Sequence, residues 1–350
     1  MINTKRLTAV SVLILLLAAA MAAVVALTPP GQFDRAVDRA VSALEKNGPS
    51  DLTLAVVTDL HYDPHKDEPP TVTQTFSTLR KIMDRLASRG LRIDALWNLG
   101  DFINGHDTAK AEAAEQIRTV LAAQGKATAD YHNITGNHDN NIQSTYASNA
   151  GLPESEIFSV AELNALLENT GTLQAEHHSE SRLTDYYVDF PTVRAVCLSA
   201  DGTAFMPETA EWLRNEALAT DHEVLVFAHI PTRPEWGFRD DVVNGEAVER
   251  ALTDFIAAGG TVIAYIHGHD HGDMISTVTA EDGTVLFHEI AVGCARFSCS
   301  TLNGTPGMAF RERNENDETM ILFDIVTVDQ AGRTVRLTRV GAGEDREIIY

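Results

Sequence analysis

The chain has 350 residues, 44% hydrophobic and 22% charged, an ordinary globular composition that excludes wholesale disorder, collagen and coiled coil. It is long enough for one large domain or two ordinary ones with a substantial core. Lys plus Arg number 27 against 50 Asp plus Glu, a net charge of −23, so a polyphosphate duplex would be repelled and is a poor general partner.

Lys5 and Arg6 precede an uncharged apolar run at 7–27. Two readings stay open: a secretory signal peptide cleaved after Val24-Val25-Ala26, or an uncleaved membrane anchor just long enough to span a bilayer. Either way the body is expected to be exported, secreted or held on the outer face of the cell membrane. Membrane contact is expected only through this segment. Loss of 1–27 removes Lys5 and Arg6 and no acid, leaving a body of about −25. Residues 28–50 are polar, with Pro and Gly at both ends and a short helical pattern between, and read as a tether before a domain at 51–350.

From residue 52 the pattern alternates strand and helix. The short apolar run at 52–58 suits a buried strand. Phe76, Leu79, Met83 and Leu86 mark one helix face, 93–99 a second strand, and Ala111, Ala114, Ile117 and Leu121 a second helix. The third strand, 131–135, is oddly polar. Residues 140–182 read as an insertion with a helical patch near 160–167. Strands are predicted at 184–190, 193–199, 222–228 and 261–266, with helices at 207–219 and 246–258. After Gly272 the helices stop, and runs at 274–280, 284–291, 319–328 and 333–340 suggest an antiparallel sheet. The whole predicts a layered α/β domain with two packed sheets.

The informative residues stand where strands end. These are Thr58-Asp59-Leu60-His61, Leu99-Gly100-Asp101, Gly136-Asn137-His138-Asp139, Ala228-His229-Ile230-Pro231 and His267-Gly268-His269-Asp270-His271-Gly272. Ligands of open α/β sheets bind outside the carboxyl ends of strands, so five such ends would converge on one crevice. Carboxylate, imidazole and one amide oxygen suit divalent Mn, Fe, Zn or Co. The donors are too many for one ion and enough for two. Asp101 could bridge a pair about 3.5–4 Å apart that holds a hydroxide nucleophile for in-line phosphoryl displacement. Gly100, Gly136 and Gly268 would let the backbone turn sharply beside the ligands. Asp-x-His alone arises by chance in many chains; the ordered set of five does not arise readily by accident.

Asp59-x-His61, Gly100-Asp101, Gly136-Asn137-His138-Asp139, His229 and Gly268-His269-x-His271 resemble the signature of the calcineurin-like metallophosphoesterases, over roughly 52–292. The resemblance implies a β-sandwich flanked by helices and two divalent ions (Mn, Fe or Zn). Carried over by motif, Asp59, His61, Asp101 and His271 would hold one ion; Asp101, Asn137, His229 and His269 would hold the other. His138 would act outside the metal shell on the phosphate and its leaving group, with Asp139 orienting it. The tail from Val335 to Tyr350 is similar to a closing strand of exported bacterial members, a less specific match. The acidic body and the lack of a Lys/Arg cluster predict a small phosphoester as substrate, and the resemblance leaves phosphomonoester or phosphodiester open. A catalytically weak surface-binding protein on the same scaffold, and a one-metal hydrolase of another bond, are the competing readings.

The other histidines read as surface or structural residues, His177-His178 solvated and His267 ending a strand. Cys197 reads as a small buried apolar residue. Cys294 and Cys299 either bridge in an oxidising compartment or stay buried thiols. Arg233, Arg239 and Arg296 are placed to grip a substrate phosphate or to lie solvated on the surface.

Overall fold

Strand β1 (Leu52–Val57) is buried on both faces, and its alternation sorts its side chains between two cores. Leu52, Leu54 and Val56 face a second sheet, whereas Ala55 and Val57 face a layer of helices. The computed structural model describes residues 31–65, 70–105, 109–141, 153–167, 175–180, 185–234, 242–297 and 313–350. The apolar run at 7–27 therefore lies outside the described residues, among which no helix is long and apolar enough to cross a membrane.

After β1 come α2 (Thr71–Ala87), β2 (Ala95–Asn98), α3 (Lys110–Ala127) and β3 (Tyr131–Asn133), with β1, β2 and β3 parallel. The first sheet is completed on the other side of β1 by β11 (Leu322–Asp329), β12 (Thr334–Gly341) and β13 (Arg346–Ile349), all antiparallel to their neighbours. The second sheet runs β4 (His177–His178), β5 (Tyr186–Asp189), β6 (Val193–Leu198), β7 (Glu223–Ala228), β8 (Val262–His267), β10 (Val285–Val292) and β9 (Asp273–Thr279). Leu225 and Phe227 on one face of β7 meet Trp97, Ile134 and Val326 between the sheets. Beyond α4 (Val160–Leu167) the chain adds α5 (Pro207–Trp212, continued by a π turn) and α6 (Gly245–Ala257), which meet Val224 and Val226 on the other face of β7. The result is a helix–sheet–sheet–helix sandwich, the expected α/β class.

Three expectations need correction. Residues 34–47 are not tether: they form α1 (Asp34–Asn47), whose Ala36, Val37, Ala40, Val41 and Leu44 are buried in the first helical core. The stripe recurs at helical spacing, and Gly48 at φ 78° ends the helix. The last four predicted strands do not share one sheet. β9 and β10 form a hairpin in the second sheet, while β11 and β12 form one in the first, because β11 pairs with β1 far upstream. His178 is not solvated: Glu176, one residue before β4, accepts from His132 Nδ1 at 2.7 Å and from His178 Nε2 at 2.8 Å.

That contact explains the polar third strand. His132 is buried, stacks on Trp97 at 4.4 Å and bonds Glu176. Its neighbour Asn133 accepts from Gln124 of α3 at 2.9 Å. The two buried side chains are tolerated here because His132 Nδ1 and Asn133 Oδ1 have partners, although Asn133 Nδ2 has none. Cys197 is free and buried, as expected. Cys294 is disulfide-bonded, and Cys299 lies outside the described residues.

Candidate metal centre

All five predicted strand ends meet at one edge of the sandwich. β1, β2 and β3 bring Asp59, His61, Asp101 and Asn137 from the first sheet; β7 and β8 bring His229, His269 and His271 from the second. The two ligand loops after β1 and β2 run side by side, with Asp59 N–H on Gly100 O at 3.1 Å and His61 N–H on Asp101 O at 2.9 Å. Five of the seven residues sit at positive φ: Asp59 (53°), His61 (43°), Asp101 (54°), His269 (66°) and His271 (60°). Non-glycine residues avoid that region, and its concentration here marks a functional site. Of the three glycines, Gly100 has the expected left-handed turn, at φ 97°. Gly136 and Gly268 serve differently: a Cβ would strike Asp101 from Gly136 and Thr58 and Asp59 from Gly268.

Each acidic ligand commits one oxygen to the scaffold and leaves the other for a cation. Asp59 Oδ2 accepts from Thr58 Oγ1 at 2.8 Å and from the His269 N–H at 3.1 Å. Asp59 Oδ1 is buried without a hydrogen-bond partner and lies 3.2 Å from His271 Nε2 and 3.7 Å from His61 Nε2. Asp101 Oδ1 accepts the His138 N–H at 2.9 Å. Asp101 Oδ2 lies 3.5 Å from His61 Nε2 and 3.3 Å from His229 Nε2. His61 Nε2 and His271 Nε2 face each other at 3.0 Å. Asn137 Oδ1 sits between His229 Nε2 at 2.9 Å and His269 Nδ1 at 2.8 Å. Ligand atoms of Asp59, His61, Asp101 and His271 all lie within 4.8 Å of one another. A buried, orphaned carboxylate oxygen facing imidazole nitrogens is a donor set that fits a divalent ion.

Backbone carbonyls around the centre fix the tautomers of two histidines. A carbonyl can only accept, so a ring nitrogen facing one carries a proton. His229 Nδ1 donates to Leu99 O at 2.9 Å, leaving Nε2 as the coordinating atom. His138 Nδ1 donates to Asn104 O at 2.6 Å, which directs Nε2 toward Asp101 Oδ2, 3.9 Å away. Asp139 does not orient the ring as expected. Its carboxylate accepts backbone N–H groups of Asp101 at 2.9 Å, Phe102 at 2.8 Å and Gly136 at 2.7 Å, clasping two ligand loops together.

The electrostatics follow the geometry. Burial works against charge on Asp101, but His229, His138 and His61 around it hold its pKa far below the usual range. Burial would lower His229, yet Asp101 beside it raises it to about 9. A field that favours a proton there favours a cation in its place. Burial lowers His61 to about 3 and lowers His138 below its ordinary value. Burial and then the Asp101 charge push Asp139 upward, against the N–H donors of Gly136 and Phe102, and backbone N–H groups on both of its oxygens favour the carboxylate.

His267 is buried, bonds Gly268 O through Nδ1 at 3.0 Å, and stays structural. Arg233 pairs with Glu249 beside a cavity of about 800 Å³ also lined by Arg214 and Arg250. Arg239 lies outside the described residues. Arg296 reaches the edge of the site, bonding Asn104 Oδ1 at 2.8 Å. Thr58 and Asn104 were missed. Neither carries chemistry of its own, although Thr58 abuts the Asp-x-His motif.

The calcineurin-like phosphoesterase family matches residues 52–273, and the chain belongs to it. It is therefore a metal-binding hydrolase acting on phosphoric esters. Among solved structures, it is similar to a dimetal phosphatase from Danio rerio, at 16% identity and TM-score 0.56, covering 86% of this chain and 100% of that one. It is also similar to GAP50, the anchor in the inner membrane complex of Plasmodium, at 10% identity and TM-score 0.43, over 82% of this chain and 84% of that one. No curated protein matches the chain.

Proposed function

We propose that the protein hydrolyses small phosphomonoesters or phosphodiesters at a two-metal centre in which Asp101 lies between the ions. The observation that carries this reading is Asp101 Oδ2, 3.5 Å from a nitrogen of one ligand group and 3.3 Å from a nitrogen of the other. Asp59, His61 and His271 would complete the first group; Asn137, His229 and His269 would complete the second. Bound ions would supply a water of lowered pKa as nucleophile and positive charge for the phosphoryl oxygens.

The chain's own residues do the rest. The ligand side chains are almost fully buried, while His138 keeps 9% of its side chain exposed and His271 14%. Substrate enters on that side. His138 Nε2 is the one ring atom able to gain and lose a proton, since Nδ1 is committed to Asn104 O. It donates that proton to the departing ester oxygen. A complete ligand set with His138 present argues against a scaffold that has lost catalysis.

The test is a panel of phosphomonoesters, diesters and nucleotides assayed with Mn, Zn and Fe. Stripping with a strong chelator should abolish turnover, and one of these ions should restore it at two equivalents per chain. Full activity in verified metal-free protein would falsify the reading, and saturation at one equivalent would favour a one-metal hydrolase. Asp101→Asn should cost the most of any ligand change, because it removes charge from both ions.

We also infer export. The apolar run at 7–27 and the disulfide at Cys294 support it. Mature protein should begin near residue 27 or pellet with membranes; unprocessed soluble protein in the cytoplasm would contradict both forms.

A further inference from the structure

The Asn104 carbonyl fixes the His138 ring, and that carbonyl must itself be held. Asn104 lies in the short segment after Asp101, where its N–H reaches Tyr62 O at 3.3 Å, a long bond. The stronger hold is on its side chain, where Oδ1 accepts Nη1–H of Arg296 at 2.8 Å. Arg296 is anchored in turn. Its N–H donates to Asp59 O at 3.1 Å, and the Ala295 N–H donates to Thr58 O at 3.0 Å, so the loop after β10 is stitched to the end of β1. Behind it, the Arg313 guanidinium donates to the carbonyls of Cys294 at 3.0 Å and Ala295 at 2.9 Å, and also to those of Arg296, Thr319 and Met320. Burial, with Arg339 nearby, lowers Arg313 to about 9, which still leaves it protonated at neutral pH.

We propose that Arg296, acting through Asn104, is the positioning residue for His138. The inference rests on the reading of His138 as the acid that protonates the leaving oxygen. The chain of contacts runs from a loop clamped by Arg313, through one charge-assisted bond, to the carbonyl that selects the His138 tautomer and ring plane. An acid must stand within hydrogen-bond reach of the atom it serves, and a misplacement of about 1 Å can cost on the order of 10²-fold. Removing the guanidinium frees Asn104 and lets the imidazole swing from its acceptor.

The test uses the metal-loaded full chain and two substrates, an alkyl phosphoester and an aryl phosphoester with an activated leaving group. Arg296→Gln should keep its metals, lower kcat on the alkyl ester by about 10–100-fold and change the aryl ester by less than about threefold, with both KM values unmoved. In a His138→Ala background the same change should add nothing, and Arg296→Lys should recover most of the loss. Equal losses on both esters, raised KM and additivity with His138→Ala overturn the proposal, because Arg296 would then grip the substrate directly. Nitrogen NMR of labelled histidine gives a readout without turnover. His138 should show a protonated Nδ1 in slow exchange in the parent chain and lose it in Arg296→Gln; an unchanged signal overturns the proposal. If His138→Ala itself shows no leaving-group dependence, the acid role fails while the NMR still decides what holds the ring. Should Arg296→Gln fail to fold, Asn104→Ala keeps the carbonyl and removes only the grip, and carries the same expectations.

Discussion

At the scale of single residues, Asp139 and His138 stand side by side and do different work. On the proposed reading His138 would meet the substrate; Asp139 accepts backbone N–H groups of Asp101, Phe102, Ile103 and Gly136 and fixes the separation of the Asp101 and Asn137 loops. His138→Ala should therefore retain its metals and lose roughly 10²–10⁴-fold in rate, most on poor leaving groups. Asp139→Asn turns an amide N–H₂ toward N–H donors and leaves about two buried groups unpaired, each costing about 1–3 kcal/mol. It should weaken metal binding and lower the melting temperature together. Metal titration and calorimetry on the two variants separate the roles, and metal loss in His138→Ala would make that residue a ligand. The donors that the structure gathers at the centre, Asp59, His61, Asp101 and His271 among them, were legible, because residue type, local spacing and strand-end position are all written in a few consecutive letters. The Asp139 clasp was not, since backbone acceptors leave no mark on sequence. Neither was the bond between Arg296 and Asn104, which joins residues 192 apart.

At the scale of elements, the ligand loops depend on parts that the sequence made look peripheral. Helix α1 looks like tether in the sequence because its stripe is built from Ala and Val with one Leu, weak signals individually. Its ion pairs with α2 and the turn after it (Lys81–Asp34, Arg85–Asp38, Arg89–Glu45) are largely exposed and contribute little. The buried stripe is what holds it. Val41→Asp should cost at least about 3 kcal/mol in chemical denaturation, because an unpaired carboxylate would enter the core; a true tether would show no change. Strand β4 is pinned by Glu176. Burial alone would raise that carboxyl, but hydrogen bonds from His132 and His178 lower it below the usual 4.5. A depressed folded pKa contributes stability above the unfolded value, and that stability is lost as pH falls through the folded one. Glu176→Gln should therefore lower the melting temperature at pH 7, and its deficit should shrink as pH drops below about 4.5. A deficit independent of pH would sink this account. Sheet membership of the last strands was illegible for a related reason: alternation shows that β9 to β12 are strands but not which distant strand each joins. Their junction is tied by buried charge, with Arg339 donating to Asp273 at 2.6 Å and to Asp324 at 2.8 Å. Asp273 opens β9 two residues after His271, so the C-terminal strands brace the last ligand loop.

At the scale of the whole molecule, charge and enclosure bear on the substrate. The chain carries −23, and its body about −25 once residues 1–27 are removed. Repulsion grows with the charge of the substrate, and a long polyanion also needs a basic track along which to release counterions. No such track leads away from the centre among the described residues. Arg296 is engaged with Asn104, Arg313 with backbone carbonyls, and Arg339 and Arg346 with Asp273 and Asp324. Three arginines, 214, 233 and 250, do share a cavity, but Arg233 pairs with Glu249 and Glu246 lines the same wall. A small phosphoester needs far less: bound ions would meet its charge, and the partly open His138 and His271 would leave room for one group to enter. Hydrolysis is therefore expected on small phosphomonoesters or phosphodiesters, with little on duplex DNA at physiological salt. The decisive comparison is rate per scissile bond, measured for plasmid DNA and for the best small ester under the same metal. Faster cutting of the duplex would show that local positive potential at the centre overrides the field of the whole protein. In that case cleavage should fall steeply as salt rises from about 50 to 200 mM, the signature of phosphate contacts beyond the ions.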